Sequence, residues 1–417
     1  MRTCANGTRL LTASPHASAI RTLVFIAGAD VLAMGTWFSA SAVVVPLALS
    51  FGITSADRGW ITSAVQCGFV VAAVTSAAIA LADWVETRTL IRIGVVTASL
   101  SNAAIVLVHS PALLLVLRFL TGAGLALVYP PTLRLLTAWF PRSRGIVTGI
   151  AVGALTIGSF SPHLFSTNLP WRAVVLVASC VAVLAVPLIS MVTLPREYRR
   201  AGRFDVRALR TILSNGNVVL ADAGYWGHMW ELYAVWAWGP VFYAASLQQA
   251  HAKAPAGALI FLFFGLIGAA GCIVAGILGD RLGRAPVAGT AMAVSGTISL
   301  TIGLAFGANP WLVSMLFAVW GFSVVADSAQ FSAAVTELAD QRYIGTALTF
   351  QMGVGFLITM LTIWLVGAAQ PFLGWRYTFA MLALGPAAGV CAMILLHLRL
   401  SRNAGLREGA NPYQQLK

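Results

Sequence analysis

Residues 221–240 read ADAGYWGHMWELYAVWAWGP, a run rich in tryptophan that carries Asp222, His228 and Glu231 at its heart. It is too apolar and aromatic for a solvent-exposed loop, so it belongs inside a larger apolar structure. The whole chain is of one kind with it. Of its 417 residues, 59% are hydrophobic and only 9% charged, against about 25% charged in soluble domains. The mean hydropathy is +0.85. Apolar runs recur from end to end and leave no stretch for a separate soluble domain. The solvent around most of this chain is therefore lipid, where an ionisable side chain at mid-depth costs about 2.5 kcal/mol or more. Asp222, His228 and Glu231 call for a reason.

Counting runs of about 20 residues gives twelve spans, an all-α membrane protein. They start near residues 21, 59, 93, 111, 145, 172, 215, 255, 286, 310, 344 and 374. The net charge of +13 could suit a nucleic-acid binder, but its placement excludes that partner. Arg88 and Arg92, Arg142 and Arg144, six arginines of the central loop, Arg281 and Arg284, and Arg342 all fall on one side. The other side holds Arg58, Arg172, Lys253 and Arg376. This asymmetry puts both termini and the central loop in the cytoplasm. The cysteines lack metal-ligand spacing, and the four inside apolar runs read as small core residues. No metal or cofactor is expected beyond a coupling proton. No cleavable signal is seen in residues 1–20.

The halves repeat each other. NLPWRAVVLVAS before span six matches FLGWRYTFAMLA before span twelve, and Asp83 after span two matches Asp280 after span eight. Ala29-Asp30, Gly35 and Pro46 echo Ala221-Asp222, Gly227 and Pro240. The expected organisation is a bundle over 1–195, a cytoplasmic loop over 196–213 and a second bundle over 214–417. Such parallel repeats suit a carrier with its site between the bundles.

GILGDRLGR (276–284) resembles the loop motif of the major facilitator superfamily, and RFLTGAGLALVYPP (118–131) resembles its arginine-glycine motif in span four. The resemblance implies two pseudo-symmetric six-helix bundles. It gives Asp83, Arg88, Asp280, Arg281 and Arg284 a gating role. GHMWELY, ADSAQFSA and GTALTFQMGVGF resemble a bacterial branch beside the cyanate and nitrate permeases, but spans two and eight lack the nitrate-site arginines. Span five carries Ser161 where drug antiporters of the family have a glycine before proline.

Depth and periodicity select the site candidates. Asp30 lies ~14 Å into span one and Arg118 ~10 Å into span four, so a pair between them is expected across a ~30 Å core. Whether that pair is fixed or binds solute and proton is open at this point. His228 and Glu231, three residues apart, share a helix face, either as a proton-coupling pair or as a hydrogen-bonded contact. Asp327 is a further proton candidate. Trp37, Arg118, Tyr129, Trp238 and Trp320 are the expected solute contacts. Trp226, Trp230 and Tyr233 form a stripe read as packing or lipid contact, Asp222 as a helix contact, and His163 as a wet residue near a helix end. The reading is a monomeric secondary transporter for a small organic anion or vitamin-like heterocycle, driven by protons in the uptake direction. The alternative is a proton-coupled exporter. An ATP-binding loop, a His-Glu-x-x-His motif and a nucleophile elbow are all missing from the sequence, which leaves a sensor or intramembrane enzyme as remote readings.

Overall fold

The structure, a computed structural model, describes residues 15–409 except 55, 142 and 196–204, and only the backbone of 15–17, 56, 82–83 and 403–409. The described residues are helical throughout, without strands. In lipid this follows from the backbone: each N–H and C=O must find its partner within the segment.

Ten stretches are long and apolar enough to cross a bilayer. In the first half these are α1 (Ser18–Ala42), α2 (Gly59–Ala78), α3 (Thr87–Leu107), α4 (Pro111–Trp139), α5 (Arg144–Ser166) and α6 (Trp171–Ser190). A short helix, Ala208–Ser214, leads to α7 (Gly216–Gln249). Then come α8 (Ala256–Leu282), α9 (Arg284–Ala305) and α10 (Pro310–Leu338). The last stretch, Ile344–Arg402, spans 59 residues and holds two helices. Gly374, at φ +62°, turns the chain between α11 (344–373) and α12 (375–402). The helix α7 is not among the ten because its polar and small residues dilute it, yet most of its length is buried. It is an interior helix rather than a lipid-facing one. With it the chain has twelve spans, as the sequence predicts.

Small residues set the closest approaches. A Cβ on Gly68 of α2 would meet the Phe119 carbonyl oxygen at 1.8 Å, and one on Gly122 of α4 would meet that of Val65 at 1.8 Å. The two backbones touch, so only glycine fits at either position. The helix α4 breaks at Leu127–Val128 ahead of Tyr129 and two prolines, and α10 breaks at Asp327. One contiguous core takes in Trp37 and Phe69 from the first half and Tyr233, Trp236 and Phe356 from the second. The loops rich in arginine lie at one end of the bundle, here termed the basic end. The expected domain boundary at 196–213 lies partly outside the described residues. At its margin the backbone N–H of Asp205 donates to Thr346 Oγ1 at 3.1 Å.

Candidate functional site

At the seam between the halves buried aromatic side chains of both bundles pack into one cluster, termed the chamber because a solute would have to part its walls. Trp37 of α1 lies 4.9 Å from Phe69 of α2 and 5.9 Å from both Tyr233 of α7 and Phe356 of α11. Trp236 of α7 packs edge-on against Phe160 of α5 at 5.1 Å and against Phe38 of α1 at 5.6 Å. Offset and edge-to-face contacts of this kind satisfy the ring quadrupoles. The polar atoms of the region are not satisfied. Trp37 Nε1, Trp236 Nε1 and Gln66 Nε2 are buried donors without a partner. Gln66 is tied across the seam by Thr359 Oγ1, which donates to its Oε1 at 3.0 Å. An orphaned buried donor costs about 1–3 kcal/mol, which an acceptor entering the chamber would recover.

Trp37 is the sequence-predicted solute contact that the chamber contains. Tyr233, expected to pack or face lipid, instead belongs to the chamber wall. Its stripe partners do pack: Trp226 Nε1 donates to Gln351 O and Trp230 Nε1 to Met381 O, both at 3.2 Å. Periodicity separates the faces of α7, but Tyr233 meets Trp37 and Phe38 of α1 across the seam. Trp236, Phe356 and Gln66 carried no signal beyond being aromatic or polar residues in apolar runs.

The expected Asp30–Arg118 pair does not form. Arg118, fully buried, donates to Ile61 O at 3.2 Å, Thr36 O and Asn102 Oδ1 at 3.0 Å, and Trp37 O by a short contact. Its fork is consumed by carbonyl oxygens of α1, α2 and α3, so it clamps the first bundle together. Equal depth did not suffice, because the two side chains point to different neighbours. Asp30 accepts instead from Thr132 Oγ1 of α4 at 2.9 Å and 3.1 Å. Tyr129, one turn before Thr132, is partly buried against the core.

The helix α7 carries three acid or imidazole sites, and each reaches a different partner. His228 Nδ1 lies 2.8 Å from Asp327 Oδ1, and Ser328 Oγ lies 2.8 Å from its Nε2. Glu231 does not bond His228. It accepts from Ser295 Oγ at 2.7 Å, from Trp320 Nε1 at 2.9 Å and from Ser299 Oγ by a short contact. The three-residue spacing put the two side chains side by side, and the facing helices drew them apart. Ser295 and Ser299 at i and i+4 on α9 were the missed signal. Asp222 Oδ1 accepts from Gln351 Nε2 at 2.9 Å, which fits a helix contact. Trp320 thus serves Glu231, while Trp238 Nε1 donates to Ile363 O at 2.9 Å. His163 is buried rather than wet: it stacks on Phe160 at 5.5 Å with Nε2 unpartnered.

At the basic end, Asp280 Oδ1 lies 2.7 Å from Arg284 Nη2, which also reaches Glu337 Oε1 at 3.0 Å. Arg281 is exposed. In the first-half copy, Arg88 pairs with Glu86 at 2.5 Å and reaches Val192 O at 3.4 Å. The side chain of Asp83 lies outside the described residues.

Comparison with known proteins accords with this architecture. A chain 27% identical over 419 residues, covering 90% of both sequences, is the 4-hydroxybenzoate transporter PcaK of Pseudomonas aeruginosa. Two solved structures share the fold at a TM-score of 0.70 and 14% identity. One is the human organic anion transporter MFSD10, covering 90% of this chain and 99% of its own. The other is the proton:xylose symporter XylE bound to 6-bromo-6-deoxy-D-glucose, covering 91% and 95%. The sequence profile described as Major Facilitator Superfamily matches residues 26–357. The chain belongs to the Major Facilitator Superfamily and is a multi-pass membrane transporter, not an enzyme.

Proposed function

We propose that this transporter takes up a small organic anion, an aromatic carboxylate, by alternating access coupled to protons. The observation that carries this reading is the chamber of Trp37, Phe69, Tyr233, Trp236 and Phe356, bordered by the unpartnered donors Trp37 Nε1, Trp236 Nε1 and Gln66 Nε2. Flat aromatic walls suit a ring, and neutral N–H donors suit a carboxylate or ring acceptor. A vitamin-like heterocycle offers the same two features. The name of the Pseudomonas relative, a 4-hydroxybenzoate transporter, supports the same class. The absence of arginine from α2 and from α8 before its last turn at the basic end fits an organic rather than an inorganic anion.

In this reading the bundles 1–195 and 214–417 rock about the chamber, with the basic end cytoplasmic. Asp30, His228, Glu231 and Asp327 supply the candidate proton sites, and Asp83, Arg88, Asp280, Arg281 and Arg284 govern the gate. The protein works as a monomer in the inner membrane.

The test is a thermal-shift screen of purified protein against 4-hydroxybenzoate, benzoate, nicotinate and the neutral benzamide. A ligand of the folded state at 100 times its Kd stabilises by about 2.7 kcal/mol. Stabilisation by the carboxylates and not by benzamide is expected, followed by proteoliposome uptake driven by an inward proton gradient. Stabilisation by none of them sinks the substrate class. Loss of preloaded solute under the same gradient assigns export instead.

A further inference from the structure

The end of the seam opposite the basic loops holds a small recess outside the chamber. Ser41 of α1, Arg58, Gly59 and Thr62 at the start of α2, and Trp238 of α7 line it. Both halves contribute. Arg58 Nε is buried there without a hydrogen-bond partner, and among the described residues Arg58 makes no ion pair. Its neighbour Asp57 forms no ion pair with it; Asp57 Oδ2 accepts from Thr54 Oγ1 at 2.6 Å. The other cations at this end are engaged elsewhere or exposed. Arg172 lies over Trp171 at 4.4 Å and Arg376 near Tyr377 at 5.8 Å, while Lys253 is exposed. Ser41 and Thr62 add a hydroxyl pair at 2.7 Å beside the guanidinium.

Arg58, the helical residue just before α2, and Thr62 and Gln66 of α2 recur at a spacing of four residues and share one face. Arg58 opens that line at the recess. Gln66, with its own unpartnered Nε2, ends it one turn before Phe69 of the chamber. The two orphaned donors stand ~12 Å apart along the helix. Between recess and chamber the seam is shut: a Cβ on Gly59 would lie 3.0 Å from Ile363 Cγ2 and 3.3 Å from its carbonyl oxygen, and Trp238 holds the same carbonyl.

We propose that Arg58 is an outer anion-binding station, which takes the carboxylate of the solute before it reaches the chamber. This rests on the organic-anion reading above. The guanidinium is the group for the task, because its planar fork matches a carboxylate bidentately and keeps its charge at any working pH. The recess, about 10 Å³, has room for about one water. A carboxylate does not fit. Arg58 therefore holds its anion when α2 is parted from α7 and α11, and closure at Gly59–Ile363 expels the anion toward the donors of the chamber.

The test uses a cysteine at Ser41, on the wall of the recess, in intact cells. Its rates of modification by anionic sulfonatoethyl and cationic trimethylammonioethyl methanethiosulfonate are compared. Arg58→Gln should lower the anionic-to-cationic rate ratio by about tenfold, the lower end of focusing by a charged cleft, and Arg58→Lys should retain most of it. An unchanged ratio in Arg58→Gln, or a Ser41→Cys inert to both reagents, overturns the station. Should Ser41→Cys misfold, Val44→Cys on the same wall reads the same ratio. Benzoate uptake is the second arm: KM should rise about tenfold in Arg58→Gln with kcat unchanged, the mark of a binding interaction. A KM equal to wild type overturns the proposal. A wild type that neither binds nor moves benzoate defeats the aromatic-carboxylate reading, and the reagent ratio still decides Arg58.

Discussion

His228 Nδ1 on α7 stands 2.8 Å from Asp327 Oδ1 at the break of α10, and Ser328 Oγ stands 2.8 Å from the other ring nitrogen. With the Nδ1 proton on the side of the carboxylate, a neutral ring accepts from Ser328 at Nε2. A protonated ring must donate to it. One proton thus reverses a hydrogen bond between α7 and α10. One coupled proton moved down one pH unit is worth about 1.4 kcal/mol, or about tenfold accumulation. Asp327→Asn should abolish that accumulation in proteoliposomes and leave solute counterflow within about threefold of wild type, since counterflow needs no net proton movement. Retained accumulation in Asp327→Asn shifts the coupling to Glu231 or Asp30.

Glu231 is satisfied by three neutral donors, two hydroxyls of α9 and the indole of Trp320. Glu231→Gln keeps an acceptor for part of this set. Glu231→Ala orphans all of it, at about 1–3 kcal/mol per buried donor. Thermal unfolding in detergent should place the alanine variant several degrees below the glutamine variant. Equal melting temperatures would mean that Glu231 does not hold α7 to α9 and α10.

Arg118 was the first candidate for the solute's counter-ion, and its geometry assigns it another task. Its donors end on Ile61 O, Thr36 O, Asn102 Oδ1 and Trp37 O. Arg118→Met should therefore destabilise the fold, by about 1–3 kcal/mol for each buried carbonyl acceptor left unpaired. The folded fraction should bind solute with a Kd within about threefold of wild type. A well-folded Arg118→Met with binding lost would return the arginine to the solute site.

Asp340 and Arg342 lie in the loop joining α10 to α11. Hydrogen bonds from the Arg342 side chain and backbone hold the Asp340 carboxyl down at about 2, with Nη2 at 2.8 Å and the backbone N–H at 3.0 Å. This folded value lies below the unfolded value of about 3.9. Its stabilising effect is therefore complete above the unfolded value and is lost as pH falls through about 2. From pH 5 to 8 the group stays ionised. Asp340→Asn should change transport by one constant factor across that range. A variant whose pH profile changes shape would make this loop part of the coupling machinery.

The span count was legible because twenty apolar residues in lipid have one solution, and eleven of the twelve spans announce themselves by apolarity. The helix α7 was found by its aromatic run, since its polar residues dilute the signal. The buried acids were legible one by one from depth. Their partners were not: His228 and Glu231 are neighbours on α7, but which helix faces each depends on a packing angle that local spacing does not encode. Arg118 failed as a site residue for the same reason. Three of its four acceptors are backbone carbonyls, and no side-chain pattern marks a carbonyl as free. The chamber was half legible, through Trp37, because its other walls are aromatic residues like many that merely fill space.

The last prediction concerns Gly145, at the start of α5. A Cβ there would lie 2.2 Å from Asp280 Oδ1 and 2.6 Å from its Cγ, so the carboxylate reaches the α5 terminus only because residue 145 has no side chain. That terminus presents unpaired backbone N–H groups and a positive dipole end, to which a carboxylate is attracted. The contact joins the two halves at the basic end, and Arg284, itself paired with Glu337, holds Asp280 in place behind it. Gly145→Ala should push Asp280 away and shift the protein toward conformations parted at this end. Solute binding in detergent should persist while transport falls by about tenfold, the effect of roughly 1.4 kcal/mol on a two-state equilibrium. Asp280→Ala should act in the same direction. The decisive measurement is the double variant: with the carboxylate gone the added methyl meets no clash, so Gly145→Ala should cost little in the Asp280→Ala background. Losses that multiply in the double variant would show that Gly145 and Asp280 act independently, and the gate would have to be sought elsewhere at the basic end.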